Sequence, residues 1–185
     1  MGILIAVGVI LLLVPIFIYN ALIAKKNMVL NVFGTIDALL KKRFDLVPNL
    51  VATVKGYAAH EKDLLEEITE TRAKALAGRI SADQQIQFDS QLTTLLTGLF
   101  ATVENYPDLK ANENFMHLQR TLVELEEQIS AARRAYNAAV NDYNNAVEMF
   151  PTNIVASMMN YQRKNFFQIP EKERLNVDAK KLLGS

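Results

Sequence analysis

The chain has 185 residues with 20 basic and 20 acidic side chains, which suits one domain, and not comfortably two, and exerts no overall pull toward nucleic acid. It has no cysteine, so disulfides, thiolate metal sites and sulfur redox chemistry are excluded. Charge is uneven along the chain: residues 1–62 carry seven Lys/Arg against three Asp/Glu, residues 63–130 five against twelve, and residues 131–185 eight against five. That distribution suits helices that complement one another across a bundle or a basic juxtamembrane face, and equally suits solvated faces that merely differ.

Residues 1–24 contain no charged side chain, and "ILIAVGVILLLVPIFIY" is apolar almost throughout. At ~1.5 Å per residue such a run crosses a ~30 Å hydrocarbon core. A cleaved signal peptide would show a basic first region, a shorter apolar run and a small-residue cleavage site. Here the first region has neither Lys nor Arg and the run is long, so an uncleaved anchor over 1–24 is expected. Tyr19 falls where an interfacial aromatic belongs, and Pro15 is tolerable inside a span. Lys25, Lys26, Lys41, Lys42 and Arg43 all follow the span. The positive-inside rule then gives a single-pass cell-membrane protein with its amino terminus outside and the helical domain in the cytoplasm.

Beyond residue 24 the apolar residues recur at helical spacing, with no useful strand alternation. One helix is expected from the membrane to about residue 77, its apolar face carrying Val29, Phe33, Ile36, Leu40, Leu65, Ile68 and Ala75 and its stop at Gly78. Ser81 with Gln84 has the form of a capping box and opens a second helix that should end at Pro107. After the connection "PDLKANEN", a heptad seam runs through Phe115, Leu118, Leu122, Leu125, Ile129, Ala132, Tyr136, Ala139, Tyr143, Ala146 and Phe150. Pro151 stops it; a shorter helix over 152–167 follows, with Thr152 or Asn153 as cap. The segment 168–185 reads as a flexible tail. The fold class expected is therefore all-α: an amino-terminal transmembrane helix, 1–24, followed by an antiparallel four-helix bundle with long helices, 25–167.

Within this plan the stretch "KKRFDLVPNLVATVKGYAAHE", 41–61, combines a charge cluster with a proline inside a helical period. Either Pro48 interrupts a continuous helix, freeing the carbonyl of Phe44 and bending it, or Asp45 caps a restarted helix with Pro48 in its first turn. The apolar period passes through with little phase shift, which favours the bend, and Asn49 stands where its side chain could serve the freed carbonyl. Arg43 is about 28 Å along a straight helix from the span, well past the ~8 Å Debye length, so Lys25 and Lys26 are the lipid contacts and 41–43 need a protein explanation. Asn137, Asn141 and Asn144 form a polar stripe beside the seam, suited to interhelical hydrogen bonds or to water. Arg133 and Arg134 are either solvated or matched to Glu66, Glu67 and Glu70.

Catalytic signals are sparse. His60 and His117 are the two histidines, and neither follows a Glu at the spacing of a di-metal bundle. "HEKDL" lacks the second histidine of a zinc-protease helix, and Glu113 with His117 makes one weak pair. No P-loop, dinucleotide-binding or nucleophile-elbow motif is present, so no cofactor or enzyme activity is expected.

Two blocks carry a family resemblance: "YNALIAKKNMVLNVFGTIDALLKKRFDLVPNLVATVKGYAAHEKDLLEEITETRA" and "ENYPDLKANENFMHLQRTLVELEEQISAARRAYNAAVNDYNNAVEMFPTNIVA". Over about 19–157 the chain resembles the LemA family, departing at Phe33, at Arg43-Phe44 and in the "MMNYQRKNFF" segment. The resemblance implies one membrane anchor, a long-helix bundle and no established catalysis; a relative in magnetosome-forming bacteria is associated with membrane compartments. The function expected is a non-enzymatic scaffold at the lipid bilayer that recruits a membrane protein or self-associates. The alternatives are a ligand-sensing bundle on the outer side and a metal enzyme built on His60 or His117.

Overall fold

A computed structural model describes residues 1–78 and 82–167, with the side chains of Leu11, Ala82 and Asp83 outside that description. All regular structure among the described residues is helical: α1 (Gly2–Lys55), α2 (Lys62–Leu76), α3 (Ala82–Val103), α4 (Pro107–Lys110), α5 (Glu113–Glu148) and α6 (Thr152–Met158). The expected tail over 168–185 and the capping role of Ser81 lie outside the described residues.

α1 runs for 54 residues without interruption through Pro15 and Pro48. Its amino-terminal part is long and apolar enough to cross a membrane, and Leu4, Leu12, Leu13 and Phe17 all point outward. Further on, Val29, Ile36, Leu40, Phe44, Val47, Leu50 and Val54 are buried, at the three-, four- and seven-residue intervals that keep one helix face inward. The same helix is thus lipid-ready at one end and a wall of the core at the other.

The single helix expected to reach residue 77 is broken. α1 stops at Lys55, residues 56–61 turn the chain, and α2 starts at Lys62. Gly56 lowers helix propensity at the break, and Ala58, 1% exposed, closes the turn with a bond from its N–H to the Val54 carbonyl (2.8 Å). Reversal brings Leu65 and Ile68 onto the same apolar cluster as Val47 and Leu50, which a continuous helix would have carried past it. At the end of α2, Gly78 adopts φ 125°, the left-handed region that glycine enters without steric cost, and the helix stop expected there is present.

α3 ends at Val103, earlier than expected, because Pro107 opens a helix: it stands at the first turn of α4, where no amide hydrogen is required. Asn112 then caps α5, its Oδ1 accepting from the Phe115 N–H at 3.0 Å. The α5 seam is buried or half-buried from Phe115 to Ala146. Its expected last member, Phe150, is instead 80% exposed. α5 ends two residues earlier, so Phe150 leaves the helical register.

The helix expected over 152–167 stops at Met158. Asn160 takes φ 54°, while its N–H and that of Tyr161 bond back to Ser157 and Ala156 at 3.0 and 2.9 Å. This is the paired stop in which Asn replaces glycine in the left-handed position. Thr152 is not a cap: its hydroxyl donates to the Met149 carbonyl at 2.8 Å, and Pro151 occupies the cap position without a side-chain bond. Residues 161–167 run beside α5 as a non-helical strap.

Among the described residues, three apolar clusters follow one another along α1. The largest joins α1, α2, α3, α4 and α5 around Phe44, Leu50, Ile68, Leu99, Leu109 and Ile129. A second gathers Val29 with Ala139, Val140 and Tyr143. The third, nearest the apolar end, packs Ile18 and Leu22 against Ala156 of α6.

Candidate functional site

The helical period splits the 41–61 stretch by side. Lys41, Lys42, Asp45, Pro48 and Asn49 are exposed, whereas Arg43 is 3% exposed and points into the core. Arg43 Nη1 donates to Asp89 Oδ1 at 2.8 Å and to Thr93 Oγ1 at 3.0 Å. Glu126 Oε2 lies 2.7 Å from the same nitrogen, a close ion pair without hydrogen-bond alignment. Arg133 pairs with the other oxygen of Asp89, which is 1% exposed. Two guanidinium and two carboxylate groups therefore neutralise one another where α1, α3 and α5 meet. Arg133 meets Asp89 rather than Glu66, Glu67 or Glu70, and Arg134 is exposed, donating to Ser130 Oγ at 2.9 Å. The signal that points to Asp89 is its phase: it precedes Leu92, Leu96, Leu99 and Val103 by intervals that place a charge on the buried stripe of α3.

Continuity of α1 excludes a restarted helix, so Asp45 is not a cap. Pro48 has no N–H for the carbonyl of Phe44, and Arg72 supplies the donor: its Nε reaches that oxygen at 2.8 Å from α2. Asn49 does not take this role; it is exposed, and its own carbonyl accepts from Thr53 Oγ1 at 2.8 Å. The proline and Arg72, 28 positions from the carbonyl, thus act as one unit that ties α2 to α1.

The asparagine stripe divides similarly. Asn137 exchanges two bonds with the main chain of Phe167, at 3.0 Å to its carbonyl and 2.8 Å from its N–H. Asn144, 3% exposed, does the same with Lys164 at 3.0 and 2.9 Å. Seven helical residues advance ~10.5 Å and three extended residues ~10 Å, so the two rungs match in length. Asn141 faces solvent. The stripe binds a strap rather than another helix.

Far from the apolar end, the two turns interlock. Tyr106 donates its hydroxyl to Glu61 Oε1 at 3.0 Å, and that carboxylate pushes the phenol pKa upward. Asn112 Nδ2 donates to the Tyr57 hydroxyl at 3.0 Å. Beside this junction, α1 and α2 border a groove of about 530 Å³ with Val51, Leu65 and Ala73 in its lining and Lys55, Lys62, Glu66 and Glu70 among its charged residues. Sequence reasoning missed Tyr57, Glu61, Tyr106 and Asn112, because their pairing depends on the unforeseen turn at 56–61. His60 and His117 are both exposed, and among the described residues no three metal-ligating side chains converge. At the other end, Lys25 lies 3.9 Å from Asp142, and the Lys26 ammonium is 4.9 Å from the Tyr161 ring centroid.

Two measurements check these arrangements. Arg72→Ala is expected to cost about 1.5–3 kcal/mol by chemical denaturation, the range of a hydrogen bond from a charged group. In a Pro48→Ala background residue 48 regains an N–H for Phe44, so the cost of Arg72→Ala should fall by about 1 kcal/mol; strict additivity would break the link between proline and arginine. Asp89→Ala leaves Arg133 without its carboxylate and Arg43 with Glu126 alone, and is expected to lose about 3–5 kcal/mol. A change under about 1 kcal/mol would mean that water already solvates the cluster.

The LemA family model matches residues 32–180. Protein LemA of Metamycoplasma hominis is 28% identical over 163 residues, covering 88% of this chain and 74% of that protein. Magnetosome protein MamQ 2 of Paramagnetospirillum magneticum is 26% identical, covering 71% of this chain and 58% of its own length. Magnetosome protein MamQ of Magnetospirillum gryphiswaldense is 23% identical, covering 80% and 64%. The chain thus spans less than two thirds of the two magnetosome relatives. These relatives and the apolar start of α1 fit a membrane-associated helical protein. With the family match extending over most of its length, the chain belongs to the LemA family.

Proposed function

We propose that this chain is a membrane-anchored, non-enzymatic scaffold: a four-helix antiparallel bundle on a single span that recruits a membrane-protein partner through the groove between α1 and α2. The groove carries the reading. It joins an apolar lining to charges of both signs, the chemistry that receives one face of an amphipathic helix. Lys55 lies about 45 Å along α1 from Lys25, so the groove stands clear of the bilayer on a rigid post.

The bundle arrangement is supported by the order of contacts: Lys25 with Asp142, Phe33 with Tyr136 and Arg43 with Glu126 descend α5 as they climb α1. The absence of a nucleophile–base set in the sequence supports a non-enzymatic role. Cations placed after the span support an external amino terminus and a cytoplasmic bundle. Lys25 and Lys26 remain half-buried at that boundary, with protein partners of their own, and each adds less than the ~1 kcal/mol of a free juxtamembrane cation.

A photo-crosslinker at Ala73, in the groove, should capture a membrane protein in native membranes, and one at Glu127 on α5 should not. Equal yields at both positions would remove the groove from the proposal, and adducts between copies alone would make it a self-association surface. For topology, Thr94→Cys provides the sole thiol. An impermeant maleimide should label it only after permeabilisation, whereas labelling of intact cells would put the bundle outside and favour the ligand-sensing alternative.

A further inference from the structure

The corner between α5 and α6 leaves its largest apolar side chains in the open. Met149 is 62% exposed, Phe150 80%, Ile154 54% and Met158 83%. In a soluble domain such a patch needs a cover. The segment 149–162 has no Asp, Glu, Lys or Arg, while Glu148 and Arg163, immediately outside it, face each other at 3.1 Å. The corner is thus an uncharged tip closed off by an ion pair.

Its position relative to the span decides what covers it. Ala156 of α6 is buried against Ile18 and Leu22, two residues of the apolar run itself. A hydrocarbon core of ~30 Å takes about 20 residues, so a span that starts near Gly2 leaves the core near Leu22. Glu148, the last residue of α5, stands six residues beyond Asp142, the partner of Lys25, so the corner that follows it begins about 9 Å nearer the bilayer than that pair. Tyr161, with the Lys26 ammonium over its ring, marks the return to the headgroup level.

We infer that the α5–α6 corner is a second, shallow membrane contact: Met149, Phe150, Ile154 and Met158 enter the headgroup–acyl boundary of the bilayer that α1 crosses. The occupant of the patch is lipid, and the depth matches that of helices lying in the interface, ~5–10 Å. This rests on the membrane-span reading of α1 and adds a second attachment that fixes the bundle's rotation about the span axis.

The chain has no tryptophan, so each engineered indole reports alone. The full chain carrying Phe150→Trp, Ile154→Trp, Leu12→Trp or Val123→Trp is reconstituted in phosphatidylcholine–phosphatidylglycerol vesicles. F150W and I154W should emit at shorter wavelength than V123W, lose intensity with lipids brominated near the headgroup, and resist aqueous iodide. V123W, about 40 Å up α5, should respond to iodide alone. L12W should be quenched by lipids brominated deep in the chain. If L12W is quenched and F150W and I154W behave like V123W, the corner is in water and the inference fails while the span stands. If L12W also escapes lipid quenching, the span reading fails and the inference falls with it. Protection of F150W from iodide without lipid quenching would assign the patch to a second copy and overturn the lipid contact.

Discussion

A helix that runs without interruption from an apolar end into a packed core carries one axis through both, and whatever packs on it inherits that axis. α1 is such a helix, and its 54 residues are long and apolar enough to cross a membrane at one end and form a wall of the core at the other. The demand for continuity is sharpest at Pro48, where one backbone bond is missing by chemistry. Arg72 meets that demand from a neighbouring helix, so the defect in α1 becomes the attachment point of α2. Without that donor, the carbonyl of Phe44 would sit unpaired beside buried apolar side chains, a state whose cost exceeds that of an ordinary lost hydrogen bond.

The charge cluster acts in a similar way one turn earlier. Arg43 and Asp89, both buried, with the half-buried Arg133 and Glu126, contribute little net stability beyond what apolar residues of the same volume would give, since desolvation offsets attraction. They do constrain register: a slide of α3 or α5 along α1 would leave a charge without its counterpart. The apolar stripes tolerate small shifts, and the charge cluster does not. Register among these helices is thus assigned to a few polar contacts spread along α1, with the apolar clusters supplying the bulk of the cohesion.

Much of this is legible in the amino-acid sequence. The α5 seam follows from strict three- and four-residue spacing, the apolar start of α1 from composition, and the stop at Gly78 from glycine's access to positive φ. The break at 56–61 was not legible, because Gly56 lies within a stretch of helix-compatible residues and the turn is held by Tyr106 and Asn112 from distant positions. The end of α6 was missed for another reason: an asparagine, Asn160, takes the left-handed position, and asparagine is a weaker signal than glycine. Of the candidate site, Arg43 and Pro48 were visible as anomalies in a helical period, but their partners Asp89 and Arg72 come from other helices. The asparagines beside the seam were conspicuous for their poor helix propensity, yet periodicity carries no information about a non-helical segment that returns to bind them.

The two asparagine rungs recognise main-chain atoms of Lys164 and Phe167, and nothing in those bonds depends on the side chains between. Substitution at Asn165 or Phe166 therefore leaves both rungs formed. An inserted or deleted residue between 164 and 167 alters the strap by ~3.3 Å against a helix that cannot stretch, and one rung must let go. Divergence in this segment is open in letter and closed in length, so an alignment gap there would mark a change of architecture, where a mismatch would not.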